Sequence, residues 1–106
     1  MFWWLMKSGE DFRSKPLVIW LQGGPGASGT GFGNFGEIGP RNVDLSPRNN
    51  TWLKYANLLF IDNPVGTGYS YVESDDLFTT NNTQIAQDLV VMLKSFLKSQ
   101  PNFQVM

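Results

Sequence analysis

Leu17-Val18-Ile19-Trp20-Leu21-Gln22-Gly23-Gly24-Pro25-Gly26-Ala27-Ser28 is the stretch on which the fold turns. Its first five residues are an unbroken run of aliphatic and aromatic side chains, the pattern of a strand buried on both faces. Glycine then crowds residues 22–40, which Pro40 closes, so no ordinary helix is expected there. Downstream, Asn57-Leu58-Leu59-Phe60-Ile61-Asp62 reads as a second buried strand, broken by Asn63-Pro64 and kept turning by Gly66 and Gly68. Upstream, residues 2–6 are a short aromatic run that reads as another strand, and residues 7–15 are polar and read as a loop.

One clear helix is expected over about residues 82–99. Ile85, Leu89, Met92, Phe96 and Leu97 recur at steps of three and four and share one face. Asn81, Asn82 and Thr83 offer N-caps. Asp88 precedes Lys94 and Lys98, in the order the helix dipole favours, and Pro101 stops the helix. Strands mixed with a helix indicate an α/β class. Strands apolar on both faces need cover on both, which one helix cannot supply. The architecture therefore reads as incomplete: about three strands, a glycine-rich loop and one helix.

Composition narrows the function classes. The chain of 106 residues has room for one small domain, and its 42 % apolar and 16 % charged residues suit a globular chain. Eight basic against nine acidic residues leave a net charge of -1 and no basic stripe, so a nucleic-acid partner is not expected. Cysteine is absent, which removes disulfides, thiol nucleophiles and thiolate metal sites. Histidine is absent too, so a Ser-His-Asp triad cannot be completed within these residues. No cofactor and no metal are expected. No run approaches the roughly 18 apolar residues of a membrane span. The start, Met1-Phe2-Trp3-Trp4-Leu5-Met6-Lys7, is too short and lacks the basic opening of a signal peptide.

The glycine loop has three readings. Gly24-Pro25-Gly26-Ala27-Ser28-Gly29 fits the dinucleotide pattern G-x-G-x-x-G, with Asp62 at the end of the next strand in the place of a ribose-binding acid. That pattern must open a helix, and more glycines follow instead. The second reading is a structural turn without chemistry. The third is an oxyanion hole, where glycines let backbone N–H groups approach a reacting carbonyl. Such donors contribute about 3–4 kcal/mol each to transition-state stabilisation.

Trp20-Leu21-Gln22-Gly23-Gly24-Pro25-Gly26-Ala27-Ser28 resembles the serine carboxypeptidase signature W-[LN]-[NQ]-G-G-P-G-x-S. Its continuation from Thr30-Gly31-Phe32-Gly33-Asn34-Phe35 to Gly39-Pro40 resembles the same family. So does the block from Asp62-Asn63-Pro64-Val65-Gly66-Thr67-Gly68 to Tyr69-Ser70-Tyr71, and Phe2-Trp3-Trp4 resembles the family's preceding aromatic strand. The resemblance spans nearly the whole chain and is strongest to the retinoid-inducible branch. It implies that residues 1–106 are a fragment of one α/β-hydrolase domain, a partial sheet of the second, third and fourth strands.

What the resemblance implies for chemistry is C-terminal peptide-bond hydrolysis through an acyl-enzyme, with peptide C-termini as partners of the full-length protein. By position, the backbone N–H of Gly24 serves the oxyanion hole. Gln22, with the N–H of Gly23, serves the substrate carboxylate. Glu37 falls in the carboxylate-binding network, where neighbouring carboxyl groups keep a proton between them. The family's nucleophile lies in a later G-E-S-Y-G-G block, so the triad is absent here. Gly68-Tyr69-Ser70-Tyr71-Val72 and Gly26-Ala27-Ser28-Gly29-Thr30 are near misses to a nucleophile elbow, and neither leads into a convincing helix start. Alanine at position 27 replaces a cysteine that many members carry.

The chain alone is thus expected to be inactive. The alternatives are an acyltransferase fragment of the same family and a noncatalytic short isoform acting as a binding module. Asn49-Asn50-Thr51 and Asn81-Asn82-Thr83 are glycosylation sequons at Asn49 and Asn81, which agree with a secretory, lysosomal or extracellular parent. In the family's strand order, 1-2-4-3-5, residues 17–21 lose their fifth-strand neighbour and become an edge open to self-association. Trp20, Leu58 and Phe60 are each expected to leave one side wet.

Overall fold

Trp3–Met6 (β1), Leu17–Leu21 (β2) and Asn57–Ile61 (β3) form a mixed three-stranded sheet in the order β1-β3-β2. The computed structural model describes residues 1–24 and 26–104; Pro25 of the glycine motif lies outside the described residues. β1 runs antiparallel to β3, with Trp3 opposite Ile61 and Met6 opposite Leu58. β2 runs parallel to β3, with Leu17 opposite Asn57 and Leu21 opposite Ile61. The parallel pair therefore ends its two strands at the same level, where the glycine loop and Asp62 leave the sheet.

β3 is the core. Every residue of it is buried, and alternation sends its side chains to two separate clusters. Leu59 and Ile61 pack with Met92, Phe96 and Phe103, flanked by Trp3, Leu5 and Leu89. Leu58 and Phe60 pack with Ile38 and Ala56, flanked by Met6, Val18, Trp20 and Leu53. The expectation that Leu58 and Phe60 leave one side wet is thus wrong, because both are 0 % exposed. The segment carrying Ile38, Leu53 and Ala56 covers the second face without a regular helix, and no hydrophobic period announces that cover.

The strand at 17–21 is correct in its bounds but not in its burial. Ile19 and Leu21 are 39 % and 43 % exposed: of β2, only Leu17 packs against the cluster that Met92 and Phe96 of α1 (Asn82–Ser99) form with Leu59, Ile61 and Phe103. Trp20, on the other face, is half-buried and meets Trp52 edge-to-face at 5.7 Å.

α1 forms as its sequence requires. Asn81 caps it through a hydrogen bond accepted from the Gln84 N–H at 2.9 Å, and Lys98 lies in its last turn. Its inward stripe buries Met92 and Phe96, with Leu89, Leu93 and Leu97 partly covered. Trp3 meets Phe96 edge-to-face at 4.9 Å, a geometry worth about 0.5–1.5 kcal/mol beyond area burial.

Residues 22–40 differ from expectation. Gly29–Ile38 is a π-helical segment. Its wide turns are closed by bonds five residues apart, from the Gly33 N–H to the Ser28 carbonyl at 3.3 Å and from the Gly39 N–H to the Asn34 carbonyl at 2.9 Å. The low α-propensity of glycine excluded an α-helix correctly. It did not exclude this wider winding, which is held at both ends by side chains from elsewhere.

Candidate functional site

The site lies at the carboxyl ends of the parallel strands β2 and β3, the place where open α/β sheets bind ligands. Asp62 follows β3 and is fully buried. Its Oδ1 accepts from Ser28 Oγ at 2.7 Å and from the Thr30 N–H at 3.0 Å. Its Oδ2 accepts from Thr30 Oγ1 at 2.8 Å and from the Tyr69 N–H at 3.0 Å. Burial pushes this carboxyl upward. The Thr30 and Tyr69 N–H groups and the Ser28 and Thr30 hydroxyls outweigh that and hold it below the usual carboxylate value.

The Asp62 carboxylate therefore sits at the N-terminus of the π-helical segment, where unpaired N–H groups and the peptide dipoles favour an anion. Ser28 completes the cap by accepting from the Gly31 N–H at 2.9 Å. This settles the dinucleotide reading on structural grounds. The segment does open a helix, but its anion position is taken by the chain's own carboxylate, so Asp62 is not placed to hold a ribose.

The opposite end of the segment is held by Arg48. Its guanidinium donates to the Glu37 carbonyl at 2.7 Å and also to the carbonyl of Phe35. A cation at the carbonyl end complements the dipole. Neither clamp was assigned from sequence. In sequence Asp62 stands in the family's second block and in the place of a ribose ligand, neither of which implies a clamp, and a lone arginine in a loop carries no motif.

Between the clamps lie the residues predicted to bind substrate. The indole N–H of Trp20 donates to Gln22 Oε1 at 2.8 Å. An indole is a donor only, so it fixes which end of the Gln22 amide carries the oxygen. Gln22 Nε2 is thereby turned to Glu37 and donates to its Oε1 at 3.1 Å. The structure thus brings Gln22 and Glu37 together across fifteen residues of chain. Gly33 lies beneath this link. A Cβ there would stand 2.5 Å from Trp20 Nε1 and 2.9 Å from Gln22 Oε1, so only glycine lets the indole and amide approach.

Gly23 and Gly24 are exposed at the start of the loop. Gly24 has φ +134, a conformation that side chains rarely adopt. Among the described residues no hydrogen bond engages the N–H of either glycine. Two backbone donors and the second N–H of the Gln22 amide thus stand close in sequence, able to meet an oxyanion or a carboxylate.

The two elbow-like serines are both committed. Ser28 Oγ is held by Asp62 and Gly31. Ser70 is buried; its Oγ donates to the Asp62 carbonyl at 2.6 Å and accepts from the Phe2 N–H at 2.8 Å, tying the entry of β1 to the exit of β3. Among the described residues no cluster of metal-ligating side chains occurs, and no helix is long and apolar enough to cross a membrane.

Comparison with known proteins places the chain in a family. The family described as serine carboxypeptidase matches residues 1–106. The retinoid-inducible serine carboxypeptidase of Mus musculus is 54 % identical over 107 residues, covering 98 % of this chain and 24 % of the relative. Serine carboxypeptidase-like 51 of Arabidopsis thaliana is 51 % identical, covering 94 % of this chain and 23 % of the relative. The crystal structure of Kex1(delta)p, a prohormone-processing carboxypeptidase from Saccharomyces cerevisiae, superposes with a TM-score of 0.76 at 30 % identity, over 96 % of this chain and 24 % of that one. The chain thus spans about a quarter of the length of these proteins. A family match over every residue means that this chain belongs to the serine carboxypeptidase family.

Proposed function

We propose that this chain is the oxyanion and carboxylate-recognition segment of a serine-type carboxypeptidase, one part of an α/β-hydrolase domain, with no turnover of its own. The observation that carries the reading is the Gln22–Glu37 hydrogen bond, oriented by Trp20 and set beside the unengaged N–H groups of Gly23 and Gly24. The chain provides donors for two negative charges. The Gly24 N–H stabilises the oxyanion that forms when the scissile carbonyl is attacked. The Gln22 amide and the Gly23 N–H hold the carboxylate at the peptide's C-terminus, so that only a terminal bond reaches the oxyanion position. Both are positioning and electrostatic tasks, which need fixed donors and no proton transfer.

The nucleophile and base come from outside these 106 residues. The sequence has no histidine, and the hydroxyls of Ser28 and Ser70 are each bound on both sides. The test is reaction with a fluorophosphonate probe. The chain alone is expected to stay unlabelled, whereas a full-length carboxypeptidase carrying this segment is labelled at one serine beyond it. Stoichiometric labelling of Ser28 or Ser70 would overturn the reading.

A further inference from the structure

The two sequons differ in the folded protein. In Asn49-Asn50-Thr51 the threonine is 8 % exposed. Its Oγ1 donates to the Ile38 carbonyl at 2.7 Å and accepts from the Leu53 N–H at 3.1 Å. The hydroxyl that a glycosyl transferase must read is therefore consumed once the segment folds. In Asn81-Asn82-Thr83 all three residues are exposed, and among the described residues the Thr83 hydroxyl has no hydrogen-bond partner.

Asn81 is also the N-cap of α1. Its Oδ1 accepts from the Gln84 N–H, whereas its Nδ2 has no partner among the described residues. Capping uses the oxygen of the amide, and N-glycosylation uses the nitrogen. Attachment of a sugar leaves a secondary amide whose oxygen still accepts. The two tasks are compatible on one side chain.

We propose that Asn81 is an N-glycosylation site, occupied in preference to Asn49, and that the glycosylated amide continues to cap α1. The donor is a polyprenyl diphosphate-linked oligosaccharide. The bond between Nδ2 and the sugar C1 forms, and the bond between C1 and the diphosphate oxygen breaks. One amide proton passes to the transferase base, and the polyprenyl diphosphate leaves. This assignment is independent of the carboxypeptidase reading, since it concerns the opposite end of the chain and no catalytic residue.

The test is expression of the full chain behind a cleavable secretory leader in a eukaryotic host, with leader removal read from the intact mass. Peptide N-glycosidase in heavy-oxygen water then marks each occupied asparagine. Asn81 is expected to be marked in most molecules and Asn49 in a minority. T83A removes the Asn81 glycan and leaves the cap residue in place, and T83S restores the glycan. Amide exchange at Gln84 is expected to remain protected in the glycosylated chain. A chain whose leader is removed but whose Asn81 is unmodified overturns the proposal, as does Asn49 occupancy equal to or above that of Asn81. Loss of Gln84 protection on glycosylation overturns the retained cap.

Discussion

Ser28 Oγ lies 2.7 Å from Asp62 Oδ1, and this bond ties the glycine loop after β2 to the exit of β3 across 34 residues of chain. The carboxylate at its centre is fully buried and takes four hydrogen bonds. Asp62→Ala leaves the Thr30 and Tyr69 N–H groups and two hydroxyls without their acceptor. An orphaned buried donor costs about 1–3 kcal/mol, so the loss is expected to exceed about 3 kcal/mol. Chemical unfolding of the dilute chain, followed by tryptophan fluorescence, measures it. A loss under about 1 kcal/mol would contradict the clamp.

The same carboxylate predicts a pH dependence. Its folded pKa is depressed below the ordinary value, so its stabilisation is fully present above the unfolded pKa of about 3.9 and is lost as pH falls through the lower folded value. The stability gap between the wild type and Asp62→Asn is expected to be constant from pH 7 to about pH 5 and to shrink toward pH 2. A gap that widens on acidification would show that Asp62 is folded in its protonated form.

Gly33 tests the link between packing and site. Gly33→Ala places a methyl within 2.5 Å of Trp20 Nε1, so the indole must move and release Gln22. Overpacking of this kind costs about 1–3 kcal/mol. In a full-length carboxypeptidase carrying this segment, the variant is expected to raise KM for free-acid peptides more than it lowers kcat. A change in stability with unaltered KM would mean that Trp20 does not orient the amide.

Much of this was legible in the sequence because it is periodic or local. The β2 run, the β3 run and the i, i+3, i+4 stripe of α1 gave bounds that the structure keeps or shortens by one residue, at Asp62. The family motif also singles out Gln22 and Glu37, which one hydrogen bond joins. What escaped is non-local. The winding of Gly29–Ile38 depends on a carboxylate from after β3 at one end and a guanidinium from position 48 at the other. Glycine propensity describes the isolated segment and says nothing of those clamps. The cover over Leu58 and Phe60 comes likewise from scattered residues, Ile38, Leu53 and Ala56, which share no period.

The outer edge of β2 gives another expectation. Among the described residues β2 pairs only with β3, and its Ile19 and Leu21 are exposed. An apolar edge with free N–H and C=O groups templates pairing with another chain. The isolated chain is expected to self-associate in a concentration-dependent way, and Ile19→Lys to suppress it. Size-exclusion chromatography with light scattering reads both. A wild-type chain that stays monomeric at all concentrations would mean that this edge is protected.

The substrate-form dependence of Gln22 tests the central claim most directly. In a full-length carboxypeptidase carrying this segment, kcat/KM is compared for the same peptide with a free C-terminal carboxylate and with a C-terminal amide, in the wild type and in Gln22→Leu. A hydrogen bond to a charged group contributes about 1.5–3 kcal/mol, so the free acid is expected to lose about 10- to 100-fold while the amide changes little. Equal losses on the two substrates would contradict carboxylate recognition by the Gln22–Glu37 pair.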